Sequence, residues 1–346
     1  MLGRSGTALA PGPAGSPVNV AVLGAGAWGT ALAAIAGDLG HAVCLWGRNP
    51  QQIEMLAESR ENTRYLPGRM LGPSVRLTLD VEAAVQGAEV AIMAVPTAAV
   101  RAVAVSLRSR LPAGTVVLCA AKGFEQESHL TLDRVLADAI PQAPIALLSG
   151  PTFAAEIARG MPAAIVAASG DARAAAAAQV ALGSETFRVY TATDVVGVAV
   201  GGALKNVIAI AAGCADGLSL GTNARAALIT RGLSETARLA TRLGGEAATL
   251  SGLAGLGDLV LTCTGDLSRN RQVGLALAAG ESLGSIEDRL GSVAEGVPTA
   301  HAAAALAREL GIEMPITQQV AEILAGRQTP RGAVRTLLLR EPRPET

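Results

Sequence analysis

Gly24-Ala25-Gly26-Ala27-Trp28-Gly29 follows the apolar run Val18–Leu23 and opens Thr30–Leu39, an alanine-rich stretch with helical character. A G-x-G-x-x-G sequence is weak by itself, but between a strand and a helix each glycine has a task. Gly24 permits the tight turn, Gly26 lets the main chain approach a pyrophosphate, and Gly29 allows close helix–strand packing. The helix beginning there turns unpaired N–H groups and the positive end of its dipole towards an anion. The competing reading is a glycine-rich turn with no ligand.

Working outward, Ala42–Trp46 reads as a second strand, and Val90–Val95, Thr115–Cys119 and Ile145–Leu148 are further apolar runs of strand length. Helix-like segments around Glu82–Gln86, Ala98–Arg110 and Leu130–Ala139 separate them. Continuous apolar strands alternating with helices predict a parallel sheet covered on both faces. Ala163–Ala168 and Phe187–Tyr190 extend it. From Thr191 the pattern is almost wholly helical, with glycine-rich breaks at 213–222, 252–257 and 291–296. The expected class is α/β: an N-terminal Rossmann-type doubly wound parallel sheet followed by an all-α C-terminal domain. The boundaries expected are a leader at 1–17, a dinucleotide-binding domain at 18–190 and a helical substrate domain at 191–340. The leader is rich in Gly, Pro, Ala and Ser and lacks the continuous apolar stretch of a secretory signal.

Composition narrows the partners. The chain has 346 residues, which favours two domains, and a formal charge of -1 with no Lys/Arg block. Aromatic residues make up 2%, too few for a base-stacking platform, so neither nucleic acid nor an anionic membrane surface is expected. Four separated cysteines form no Cys-x-x-Cys, and the three histidines form no metal-ligand pattern. Free, buried thiols in a reducing, cytoplasmic setting and no metal are the expectation. Val195–Ala215 is apolar enough to resemble a membrane span, but it carries Lys205 and Asn206 and is bracketed by Asp194 and Asp216. A helix buried inside the protein fits it better than a span.

Only two of the 28 basic residues are lysines, Lys122 and Lys205; the rest are arginines. Lysine supplies what arginine does not, a compact amine that loses its proton when desolvated. Lys122 follows an apolar strand at its carboxyl end, where ligands lie in an open parallel sheet, as do Val95-Pro96-Thr97 and Ser149-Gly150-Pro151-Thr152. Lys205 sits one turn after Gly201 and Gly202, whose small size leaves room against the amine. Burial would lower its pKa towards roughly 7–8, the range useful for proton transfer. The bland reading has it reaching solvent or pairing with Asp258 or Asp194. The second strand ends without an acid for a ribose hydroxyl, and Arg48 stands there instead. NADP(H) is therefore favoured, with NAD(H) as the alternative. Ser268, Arg269 and Asn270 precede a helical stretch, where hydroxyl, guanidinium and helix N-terminus can converge on one anion. A plain cap with a surface arginine is the other reading.

Taken together these stretches resemble the bacterial NAD(P)-dependent glycerol-3-phosphate dehydrogenases. The resemblance is carried by GAGAWGTALA (24–33), NTRYLPG (62–68), AAKGFE (120–125), SGPTFAAE (149–156), GGALKNVIAIAAG (201–213), NARAALITRGL (223–233), GLAGLGDLVLTC (252–263), SRNRQVG (268–274) and VAEGVPTA (293–300). It implies reduction of dihydroxyacetone phosphate to sn-glycerol 3-phosphate, supplying glycerophospholipid synthesis, with Lys205 exchanging the proton at the C2 oxygen. Lys122, Gly150, Thr152, Asp258, Ser268, Arg269 and Asn270 are then expected at the substrate. Gly24, Gly26, Trp28, Gly29, Arg48, Tyr65, Lys122, Ala154, Arg269, Val293 and Glu295 are expected at the cofactor. A homodimer is also implied. The chain departs from the common pattern at Ala27, where serine is frequent, and at Thr222, where aspartate is frequent. The competing readings are a related dehydrogenase of carboxylate-bearing ketones and a nucleotide sensor without turnover; a sensor has no need of a proton shuttle.

Overall fold

A computed structural model describes residues 16–291 and 294–341. Fifteen residues of the expected leader, 1–15, and Val293 therefore lie outside the described residues.

The first half runs β1 (Asn19–Leu23), α1 (Ala27–Asp38), β2 (Ala42–Trp46), α2 (Pro50–Ser59), β3 (Glu61–Asn62), β4 (Leu66–Met70), β5 (Val75–Thr78) and α3 (Val81–Val85). It continues through β6 (Val90–Met93), α4 (Val100–Leu107), β7 (Val116–Cys119), α5 (Leu132–Ala139), β8 (Ile145–Ser149), α6 (Ala154–Ala158), β9 (Ala163–Ala168), α7 (Ala172–Leu182) and β10 (Phe187–Ala192). Eight strands form one sheet in the order β10-β9-β8-β7-β6-β1-β2-β5, while β3 and β4 form a separate hairpin. The chain leaves β1 towards β2 and β5, then returns to β6 on the other side of β1. The crevice of such a switch point opens at the carboxyl ends of β1 and β6. β6 is buried along its whole length and β1 is exposed only at Asn19, as expected of strands covered on both faces.

Three features depart from the sequence expectation. The pairing of β8 with β9 is antiparallel, so β9 and β10 run against the other six strands. Between Ser149 and Ala163 the chain forms only the short α6, and it returns beside β8 instead of crossing over in parallel. β5 and the β3–β4 hairpin carry no clear apolar run and were not expected as strands. The supposed break beginning at Gly213 is helix: α8 (Val195–Gly217) runs through it. Gly213 serves packing, because a Cβ there would lie 2.0 Å from the Arg271 carbonyl oxygen. The turn falls at Leu218–Leu220, where Ser219 has φ +56°.

The second half is helical: α8, α9 (Gly221–Arg242), α10 (Asp258–Thr264), α11 (Arg269–Ala278), α12 (Leu283–Leu290), α13 (Gly296–Leu310), α14 (Pro315–Leu324) and α15 (Pro330–Leu338). Asp194 caps α8 by accepting the Gly197 N–H at 2.8 Å. Among the described helices α8 alone has the length and hydropathy to cross a membrane, and 72% of its most apolar window is buried inside the protein. It packs against α9, α10, α11 and α13. The four cysteines are buried and unpaired. One loop stitches the halves together. Phe124, just past β7, is 1% exposed and lies in the core of the helical half. The neighbouring Glu125 receives Nε and Nη2 of Arg101 from α4, each at 2.7 Å.

Candidate active site

The glycines after β1 divide their work as the pattern requires. Gly24 has φ +122°, and a Cβ there would lie 2.6 Å from the Ala94 carbonyl oxygen. At Gly29 a Cβ would strike the Gly24 carbonyl oxygen at 1.8 Å, so α1 packs directly on the turn. Gly26 is different: nothing lies within 4 Å of its Cβ position, so the main chain there is open to a ligand. The first α1 bond runs from Thr30 N–H to the Gly26 carbonyl, leaving the N–H groups of the preceding turn without i−4 partners. An open glycine beside the N-terminus of α1 fits a pyrophosphate.

Arg48 is exposed just past β2, and Ala154 is the partly exposed first residue of α6. Trp28 is partly exposed, and its ring meets Phe187 edge-on at 6.5 Å between centroids. Tyr65 lies between β3 and β4, with the Arg64 guanidinium 5.1 Å from its ring centroid. Asn62, which the sequence reading did not single out, ties this hairpin to the glycine turn. Its Nδ2 donates to the Ala25 carbonyl at 3.0 Å and to Thr30 Oγ1 at 2.7 Å.

Both lysines reach one carboxylate. Lys122 Nζ donates to Asp258 Oδ2 at 2.7 Å and to the Gly150 carbonyl at 3.2 Å, and Lys205 Nζ donates to Asp258 Oδ1. Asp258 is 0% exposed, and the lysine side chains are 14% and 11% exposed. Thr152 Oγ1 also donates to the Gly150 carbonyl, at 3.1 Å. Glycine makes the convergence possible. A Cβ at Gly202 would lie 2.7 Å from Ser149 Oγ and 3.6 Å from the Lys122 stem. A Cβ at Gly201 would lie 2.7 Å from the Ala254 carbonyl oxygen. That carbonyl belongs to a π-helical turn, Leu253–Gly257, which delivers Asp258 to the start of α10. Such turns often accompany functional sites.

The electrostatics follow from this packing. Two ammonium groups and one carboxylate leave an excess positive charge in a water-poor pocket. Burial pulls the Lys205 amine down; Asp258 opposes this and Lys122 reinforces it, leaving it at about 8. Burial pushes the Asp258 carboxyl up, but the two ammonium groups outweigh it and hold it below the usual carboxylate range. Lys205 thus pairs with Asp258, one of the partners expected for it, while burial keeps its amine at about 8.

A second cluster surrounds the start of α11. Ser268 caps this helix, its Oγ accepting the Arg271 N–H at 3.2 Å, and exposed Arg269 is the first helical residue. Asn270 is buried and engaged: Nδ2 donates to Asn206 Oδ1 at 2.8 Å, and Oδ1 accepts the Gly296 N–H at 3.0 Å. Asn206, next to Lys205 in sequence, therefore registers α11 against α8. Glu295 Oε1 accepts the Thr97 N–H at 3.1 Å, and Thr97 Oγ1 donates to the Lys122 carbonyl at 3.2 Å. Burial pushes the Glu295 carboxyl above its usual range, against the opposing influence of Thr97 and Arg269. Thr97 links the end of β6, the Lys122 loop and the helical half; its position after a strand was the only sequence signal.

A glycine turn open to a phosphate and a buried lysine pair, with Gly24 and Lys122 each just past the carboxyl end of a strand, fit a two-domain dinucleotide-dependent oxidoreductase. Comparison narrows the class. Residues 19–175 match the N-terminal family model of NAD-dependent glycerol-3-phosphate dehydrogenase, and residues 194–335 match the C-terminal one. The chain belongs to this family. It is 50% identical over 329 residues to a glycerol-3-phosphate dehydrogenase [NAD(P)+] of Thiobacillus denitrificans, covering 95% of this chain and 100% of that one. It is 47% identical over 331 residues to one of Anaeromyxobacter sp. (strain K), again covering 95% and 100%. The crystal structure of glycerol-3-phosphate dehydrogenase from Coxiella burnetii superposes with a TM-score of 0.91 at 40% identity, covering 94% of this chain and 99% of that one.

Proposed function

We propose that this chain reduces dihydroxyacetone phosphate reversibly to sn-glycerol 3-phosphate, using NADP(H) in preference to NAD(H). The observation that carries the reading is the sharing of Asp258 by Lys122 and Lys205 at the carboxyl ends of the strands. When bound, the nicotinamide supplies or accepts the hydride at the substrate's C2 carbon.

The protein's residues do the rest. The main chain around Gly26 and the first turn of α1 hold the pyrophosphate. Tyr65, Ala154 and Glu295 border the remainder of the cofactor. Arg48, exposed where an acid would select a ribose hydroxyl, pairs with a 2′-phosphate. The ammonium of Lys205 gives its proton to the alkoxide developing at the C2 oxygen, and in reverse its neutral amine takes that proton. Lys122, Gly150 and Thr152 orient the polar groups beside the reacting carbon. Asp258 keeps Lys205 aimed and lets it remain partly charged while buried. Arg269 and the N-terminus of α11, capped by Ser268 and braced through Asn270, take the phosphate. Binding energy from that remote group then fixes the ketone near the nicotinamide.

The test follows NADPH absorbance with purified protein and dihydroxyacetone phosphate, a panel of 2-keto acids, or no ketone. Turnover with the phosphate ester and none with the keto acids is expected. Turnover with the keto acids alone would overturn the substrate assignment, and none with any ketone would overturn the catalytic one.

A further inference from the structure

We propose that Arg271 is a positioning residue that sets the distance between the phosphate-binding end of α11 and the amine of Lys205. Selectivity for a phosphorylated three-carbon ketone then depends on a side chain that does not touch the substrate. This rests on the function proposed above.

Arg271 joins three parts of the helical half. Its Nε and Nη2 lie 2.9 and 2.8 Å from Oδ2 of Asp216, near the end of α8. Its Nη1 donates at 2.9 Å to Oδ1 of Asp266, in the loop that leads into α11. Its own N–H meets the Ser268 cap at 3.2 Å. Asp216 is shared: Nη1 of Arg225, from α9, reaches its two oxygens at 3.1 and 3.2 Å. The Arg271 and Asp216 side chains are only 14% and 13% exposed, so the fork is shielded from the screening that weakens surface pairs.

The backbones of the two helices touch at the same place. Gly213 faces the Arg271 carbonyl, and a Cβ on Gly274 would lie 2.0 Å from the Ile210 carbonyl oxygen. With no side chains between them, the helices have little freedom to change separation, but glycine contacts leave sliding and rotation open. Two polar ties remove those motions. Asn206–Asn270 fixes the register beside Lys205, and Asp216–Arg271 fixes it near the far end of α8. Without the second tie, α11 pivots about the first, and Ser268 and Arg269 move relative to Lys205. Misplacement of about 1 Å is enough to cost roughly 100-fold in rate.

The experiment compares wild type, Arg271→Ala, Arg271→Lys and Asp216→Asn with dihydroxyacetone phosphate and with unphosphorylated dihydroxyacetone. NADPH binding by fluorescence and the thermal midpoint are measured alongside. Arg271→Ala should lower kcat/KM for the phosphate ester about 10–100-fold. Its kcat/KM for dihydroxyacetone should match wild type, because that ketone carries no phosphate, and its NADPH affinity should change far less than its kcat/KM for the phosphate ester. Arg271→Lys keeps the charge without the fork and should recover part of the loss. Asp216→Asn should reproduce the alanine variant in milder form. An unchanged kcat/KM for the phosphate ester, or a parallel loss with both ketones, would overturn the proposal. A wild-type protein that ignores dihydroxyacetone phosphate would instead sink the function on which it rests.

Discussion

Lys122 and Lys205 hold opposite oxygens of one carboxylate, that of Asp258, although they come from different halves of the chain. Lys122 follows a strand of the sheet and Lys205 lies inside the central helix of the bundle. The two halves are therefore joined by a buried ion-pair triad, and the behaviour of each member depends on the other two.

Lys205→Ala should lower kcat about 10²–10⁴-fold, the usual loss on removing a general acid or base. The pH profiles of the wild type should differ in sign between directions. Reduction needs the ammonium, so kcat/KM for dihydroxyacetone phosphate should fall as pH rises through about 8. Oxidation of glycerol 3-phosphate needs the neutral amine and should gain over the same range. Profiles of equal shape in both directions would count against Lys205 as the proton carrier.

Asp258→Asn removes the charge that holds Lys205 up against burial, leaving Lys122 as a repulsive neighbour. The descending limb for reduction should move to lower pH. Two buried cations without their anion should also cost about 3–5 kcal/mol of stability, readable by denaturant unfolding. A limb that stays in place would show that Asp258 does not tune the amine.

Arg269→Ala should raise KM for dihydroxyacetone phosphate and leave NADPH affinity less affected, since its strongest assigned contact is to the substrate phosphate. A charged guanidinium–phosphate hydrogen bond is worth roughly 1.5–3 kcal/mol, which sets the scale of the expected loss. Unchanged KM in steady-state assays would remove Arg269 from the phosphate site.

Arg48→Ala should reduce kcat/KM with NADPH about tenfold or more while sparing NADH, on the scale of one charged hydrogen bond. Loss of equal size with both cofactors would mean that Arg48 does not read the 2′-phosphate.

Much of the sheet was legible because parallel strands buried on both faces leave continuous apolar runs, as β1, β2 and β6 do. β5 was not, since it lies at the sheet edge and alternates polar with apolar residues. The reversal of β9 is invisible to composition: strand direction depends on the connection, and α6 offers too short a signal. At the site, the scarcity of lysine pointed to Lys122 and Lys205, and the carboxylate that joins them was among the expected partners. Asn62, Asn206 and Thr97 were harder to single out, because a buried amide or hydroxyl bracing two segments has no spacing rule. Gly201 and Gly202 read as leaving room for a ligand against the amine, and Gly213 as a break, whereas the structure uses all three where neighbouring atoms leave no space for a Cβ.

Phe124 gives the protein a mechanical constraint. Its ring is lodged among the helices while Lys122, two residues earlier, belongs to the end of a strand. Swinging the two lobes apart would drag that ring into water at a cost of about 1.5–3 kcal/mol, and would break the grip on Asp258 as well. Parting the lobes thus exposes an aromatic ring and breaks an ion pair together, which biases the protein towards its closed arrangement.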